Sequence, residues 1–185
     1  MPITTIDDVT ALLVIDLQAG TTAGPAAHPV DGVIARATAL VDAFHANSLP
    51  VVLASVTGTP TSRTAYGPGG RSFPDAWSAL VPQISRQSDD IVLSRATWSA
   101  FAGTGLAAQL AEGGATQVVV VGLATSFGVE STARDAYDLG LNVTLPTDAM
   151  TDPRAESHDS SVTRVFPALG ETGTTAEVLA LLASR

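Results

Sequence analysis

Short β-branched apolar runs alternate along this chain with longer segments whose apolar residues recur every three or four positions. The runs at 11–16, 51–55, 90–93, 117–122 and 142–145 predict strands, with a sixth near 170–172. Val33, Ala37, Leu40, Val41 and Phe44 keep helical spacing from Asp31 onward, and this helix should end before the Leu49-Pro50 step. Leu106 and Leu110, stopped by Gly113-Gly114, describe a second helix, and 129–139 a third with Gly140 as its C-terminal signal. Thr174 and Glu177 fit a capping box ahead of an apolar terminal helix. Alternation of this kind is the signature of a parallel sheet with helices on both faces. The expected fold is α/β, a three-layer α/β/α arrangement doubly wound on a mainly parallel six-stranded sheet, with residues 1–185 forming one domain.

The stretch 57–82 breaks the alternation. It is rich in Gly, Pro, Ser and Thr, including Tyr66-Gly67-Pro68-Gly69-Gly70, and reads as a long loop that covers a pocket or reaches a neighbouring subunit.

Composition then removes several chemistries. The formal charge is -9, and the nine basic residues, all arginine, are scattered, which argues against a nucleic-acid partner. Small molecules or proteins are the expected partners. The absence of lysine excludes Schiff-base chemistry. The absence of cysteine excludes disulfides, iron-sulfur clusters and any thiolate nucleophile, and fits a cytoplasmic location. The opening residues MPITTIDDVT carry no basic n-region followed by an apolar core, and runs such as VTALLVI are too short to span a bilayer, so no membrane association is expected.

In an open parallel sheet, ligands bind beyond the carboxyl ends of the strands, where the strand order reverses. That rule selects Asp16 at the end of the first run, Arg95 two residues after DDIVL, and 123–128 after QVVVVG. Asp16 on apolar surroundings is a candidate acid or base, or else caps a turn. Arg95 is either its cation or a surface residue. The turn into the third helix offers backbone N–H groups for developing negative charge, as ordinary strand-to-helix turns also do.

These residues resemble the isochorismatase-like hydrolase superfamily over nearly the whole chain. The carriers are TALLVIDLQ with Asp16, RATWSAFAGTGL with Arg95 and Phe101, and GLATSFGVESTARDAYDLGLNVTLPTDAMTD from Gly122 to Asp152. The resemblance implies a sheet of order 3-2-1-4-5-6 and a catalytic aspartate, lysine and cysteine. Those positions hold Asp16, Arg95 and Gly128. It also implies a non-proline cis peptide between Leu123 and Ala124 that aims backbone donors at the substrate.

With glycine in the cysteine position, the route through a thioacyl intermediate is closed. Members of this kind hydrolyse a vinyl ether: an acid protonates the enol carbon, and water captures the oxocarbenium ion. Asp16 is then the general acid, isochorismate the named candidate substrate, and Gly128 leaves room for the substrate ring. Arg95 orients Asp16 or binds a substrate carboxylate bidentately. Gln18 is expected to orient water or the carboxyl group, or to sit at the core edge. Trp98 and Phe127 are favoured as pocket wall, and Phe101, Leu123 and Ala124 are assigned with them to substrate binding, whereas Phe73 and Trp77 are left between pocket and packing.

Ser126 and Thr125 are weighed as substitute nucleophiles and disfavoured, because a serine needs a base and the only histidines are His28, His45 and His158. His28 is placed within reach of the cleft, His45 facing water, and His158 in a structural role. No cofactor and no zinc or iron is expected, since Ser55-Val56-Thr57-Gly58 stands where a nicotinamidase-type metal site needs an aspartate and histidines. A catalytically inactive binding protein on the same fold is the competing reading, and a homo-oligomer, dimer or tetramer, is what the resemblance implies.

Overall fold

The computed structural model describes residues 2–185. Six strands form the central sheet: β1 (Thr10–Ile15), β2 (Val51–Val56), β3 (Ile91–Arg95), β4 (Gln117–Leu123), β5 (Asn142–Pro146) and β6 (Glu171–Gly173). Their order is β3-β2-β1-β4-β5-β6, which is the expected 3-2-1-4-5-6. Every pairing along this path is parallel. A seventh, two-residue strand, Met150–Thr151, pairs with the end of β4 and was not anticipated.

Alternate residues of the central strand feed two cores. Leu12 and Val14 pack with Val33, Ala37, Leu40 and Phe44 of α1 (Val30–Ala46) and with Val178 and Leu182 of the terminal helix. Ala11, Leu13 and Ile15 pack on the opposite face with Leu106 and Leu110 of α2 (Leu106–Glu112) and with Ala133 and Ala136 of α3 (Glu130–Asp138). This two-sided burial explains the unbroken apolar runs. Fully buried side chains such as Leu40 and Phe44 stabilise the fold by about 1.5–3 kcal/mol each relative to exposure.

The terminal helix, α4 (Thr175–Ala183), starts with the expected capping box. The Glu177 amide donates to Thr174 Oγ1, and the Thr174 amide donates to Glu177 Oε2. No helix among the described residues is long and apolar enough to cross a membrane.

The 57–82 stretch contains more structure than its composition suggests. A short hairpin pairs Arg63–Thr64 with Gly67–Pro68, and Asp75–Ser78 forms one helical turn. Both ends are tied to the sheet, through Thr57 N to Arg95 O at 2.8 Å and Val81 N to Leu17 O at 2.9 Å. The chain leaves β1 for β2 and β3 on one side, then crosses back to β4 on the other. The crevice opened by this reversal lies beyond the carboxyl ends of β1 and β4, and the tied loop folds over it.

Candidate active site

Asp16 follows β1 directly and takes a left-handed backbone, φ 49°. A non-glycine residue there costs of order 1 kcal/mol, so the surroundings must hold it. Three contacts do so. Its amide donates to Ala54 O at 2.9 Å, its carbonyl accepts the Thr21 hydroxyl at 2.5 Å, and its carboxylate meets Arg95.

The pair with Arg95 is a buried fork. Nη1 donates to Oδ1 at 2.7 Å and Nη2 to Oδ2 at 3.0 Å. The rest of the guanidinium turns to the backbone: Nη2 reaches Trp98 O at 2.7 Å, and Nε reaches Ser99 O at 3.1 Å. The Arg95 side chain is 1% exposed. Of the two roles expected for Arg95, orienting Asp16 is the one this geometry provides. Its fork is directed at Asp16 and the 98–99 backbone, away from any substrate carboxylate.

Burial pushes the Asp16 carboxyl above its ordinary value, because the charged form loses its hydration, while the charge and hydrogen bonds of Arg95 pull the other way.

Gly128 stands next to this carboxylate. A Cβ built on it would lie 3.1 Å from Asp16 Oδ2, 3.3 Å from Leu123 O and 2.8 Å from Ile15 Cγ2. Oδ2 therefore faces the gap that glycine leaves. The Leu123–Ala124 peptide just before this turn is cis, as the resemblance implied. Among the turn's amides, Phe127 N and Val129 N donate to Ala124 O, and Ser126 N donates to Asp152 Oδ2.

A cavity of about 270 Å³ opens above Asp16 and Gly128, with Leu123 and Ala124 in its floor. Its walls are aromatic. Trp98 and Phe127 pack edge to face at 5.0 Å between ring centres, and Phe73 and Trp77 pack tilted at 4.3 Å. The structure thus brings Asp16, Trp98, Leu123, Ala124, Phe127 and Gly128 to one place, with Arg95 behind Asp16.

Two candidate substrate-binding residues, Gln18 and Phe101, lie outside the cavity lining. Gln18 is fully buried and its amide is committed: Nε2 donates to Val56 O and Ser78 O, and Oε1 accepts from Val56 N. It braces the loop against β2, as the core-edge alternative held. Phe101 packs on the core beneath α2 and α3 and does not line the cavity. Phe73 and Trp77, left between pocket and packing, do line it. Trp77 lies flat on Gly20, where any Cβ would meet the indole at 2.0 Å, so glycine at 20 is what lets the ring reach the site.

The histidines form no part of the cavity lining. His158 Nδ1 lies 2.9 Å from Thr125 Oγ1 in a buried contact, and the His28 ring packs edge-on against it at 4.6 Å. Burial holds the His158 pKa below its ordinary value, with the His28 charge acting in the same direction. His45, expected to face water, instead pairs with Asp90 at 2.8 Å, its side chain 8% exposed. Ser126 Oγ donates to Asp152 Oδ2 at 2.7 Å, outside the cavity. Residues 55–58 present no imidazole or carboxylate, and among the described residues no cluster of three or more His, Asp or Glu could hold a metal ion, so this site does not fit zinc.

A buried acid at the reversal point of a doubly wound sheet, facing a small aromatic cavity, defines an α/β ligand cleft. The Isochorismatase domain family model matches residues 10–177, and the chain belongs to the isochorismatase-like hydrolase family. It is 35% identical over 181 residues to the isochorismatase family protein YwoC of Bacillus subtilis, covering 92% of each chain. Against enterobactin synthase component B of Escherichia coli (strain K12) it is 27% identical, covering 81% of this chain and 54% of that protein. An isochorismatase family protein from Burkholderia thailandensis has a solved structure with TM-score 0.91 and 34% identity, covering 97% of this chain and 98% of that one.

Proposed function

We propose that this protein hydrolyses an acid-labile bond of the vinyl ether type in a small molecule, with Asp16 as general acid and no covalent intermediate. The observation that carries the reading is the position of Asp16 Oδ2, in a buried carboxyl, 3.1 Å from where a Cβ of residue 128 would be. An acid faces the cavity, and the adjacent position offers no nucleophile.

Oδ2, which faces the gap at residue 128, is the oxygen from which a proton would be delivered. From there the proton passes to the enol carbon of the substrate. Water adds to the resulting oxocarbenium carbon and returns a proton to Asp16, and the hemiketal or hemiacetal collapses to a carbonyl compound and an alcohol. The four aromatic side chains give this step apolar walls, while Trp98 and Phe127 stay partly open to the solvent that supplies the water.

The second reading is a ligand-binding protein without turnover. It is favoured by the Arg95 fork, which occupies both oxygens of the one candidate acid.

Turnover of isochorismate and of simple aryl vinyl ethers, measured with the wild type and Asp16→Asn, separates the two. General acid catalysis contributes about 10²–10⁴-fold, and Asp16→Asn should lose it while circular dichroism reports a folded chain. The wild-type rate should fall as pH rises through the raised Asp16 pKa, because only the protonated form donates. Asp16→Asn turning over at the wild-type rate would sink acid catalysis, and a wild type inert toward every vinyl ether would leave binding as the function.

A further inference from the structure

The lining of the Asp16 cavity contains no cationic side chain. Its one ionisable group is Asp16, already matched by Arg95 from behind, and Arg95 itself is withdrawn from the cavity. A molecule placing two carboxylates among these aromatic walls would leave both without counter-charge, and desolvating an unpaired carboxylate is strongly unfavourable.

A counter-charge lines the adjoining chamber. A second cavity, about 480 Å³, shares Thr59, Pro60 and Trp98 with the first, so the two chambers adjoin at the Trp98 ring. Arg71 is the only cationic residue lining this outer chamber, beside the hydroxyl residues Ser62 and Thr97. Arg71 forms no ion pair among the described residues. Its amide is fixed on Thr59 Oγ1 at 3.1 Å, which anchors it to the shared wall.

Resting on the proposed reading of the inner site, we infer that the substrate is a two-part molecule: an uncharged, ring-sized, acid-labile head over Asp16, and an anionic tail carried past Trp98 to Arg71. A dicarboxylate confined to the inner chamber is a poor fit. Residue 71 then sets specificity.

The chain's two tryptophans, Trp77 and Trp98, both line the inner cavity, so intrinsic fluorescence reports its occupancy directly. Phenyl vinyl ether serves as the tail-less probe, 3-[4-(vinyloxy)phenyl]propanoate as the tailed one, and isochorismate as the compact dicarboxylate. The tailed ether should bind about three- to fivefold more tightly than the tail-less one, the range of a partly exposed charge pair. Raising the salt should shrink that ratio, and Arg71→Gln should bring it close to one. Hydrolysis of either ether consumes one water and yields acetaldehyde and the phenol, which gives a separate readout of the acid chemistry.

A ratio unchanged by Arg71→Gln, isochorismate binding more tightly than the tailed ether, or no quenching by the tailed ether overturns the inference. The two proposals fail separately. A salt-sensitive, Arg71-dependent ratio without turnover supports the outer subsite and removes the acid chemistry. Asp16-dependent turnover with a ratio near one does the reverse.

Discussion

Arg95→Lys is the substitution that tests most directly how the site is held. The arginine side chain joins four acceptors: the two Asp16 oxygens at 2.7 and 3.0 Å, Trp98 O at 2.7 Å and Ser99 O at 3.1 Å. Lysine keeps the charge but concentrates its donors at one point, and a point donor cannot reach a carboxylate on one side and two carbonyls on the other. With the ammonium on Asp16, one carboxylate bond and the backbone contacts are lost. Hydrogen bonds to charged groups contribute about 1.5–3 kcal/mol each, and water replaces part of what is lost at the exposed Trp98, so the net cost should be roughly 2–4 kcal/mol. For a chain of this length each kcal/mol moves Tm by about 2–4 °C, giving a fall of roughly 4–16 °C in calorimetry. Losing hydrogen bonds that favour the carboxylate should also raise the Asp16 pKa further, so the high-pH limb of any activity should move to higher pH. A variant within about 0.5 kcal/mol of the wild type, with its pH limb in place, would refute the claim that the planar fork both orients Asp16 and holds the 98–99 backbone.

Three further changes have expected outcomes of different kinds. Gly20→Ala should lower Tm and shift tryptophan emission, because overpacking against Trp77 costs about 1–3 kcal/mol and outweighs the roughly 1 kcal/mol that alanine gains over glycine in a helix; a raised Tm would contradict this. Gly128→Cys places the only thiol in the chain beside a carboxylate whose oxygens Arg95 occupies, so Ellman's reagent at pH 7 should label it more slowly than free cysteine and amides should remain uncleaved. Rapid labelling would mean that Asp16 is free to act as a base. His158, with a folded pKa below the unfolded 6.5, contributes stability that is present above pH 6.5 and lost as pH falls through the folded value, so urea unfolding of His158→Gln should show a flatter slope in that window than the wild type.

The sheet was legible because strand and helix periods differ and the two-sided burial of β1 and β4 leaves long apolar runs. The site was legible only where its residues end strands. Asp16, Arg95 and the turn at 123–128 follow apolar runs directly, and position alone brought them to one rim. Gln18 was assigned to the cavity because it is two residues from Asp16, yet its amide partners lie 38 and 60 residues away, a separation that carries no local signal. His45 was placed in water for the same reason, its partner Asp90 being 45 residues distant. Phe73 and Trp77 sit in a stretch whose Gly and Pro content reads as loop, and what turns them inward is a set of backbone ties and the bare surface of Gly20. Gly20 next to a strand end was a usable hint, since a glycine inside a helical turn often marks close approach by another group.

On the proposed chemistry, Arg95 and Gly128, which stand where the resemblance implies a lysine and a cysteine, act as one change. A cysteine built on this backbone at position 128 would have its Cβ 3.1 Å from Asp16 Oδ2, a closeness that suits a carboxylate taking a proton from sulfur. Arg95 competes with such a role, because both oxygens already accept bonds from its guanidinium. Glycine at 128 removes the group that needed a base. What remains to Asp16 is its proton, and burial favours keeping one there against the pull of Arg95. The gap left by the missing side chain is the space into which Oδ2 would deliver it. Restoring cysteine alone therefore rebuilds a nucleophile without its base, and restoring lysine alone frees a base with nothing to deprotonate.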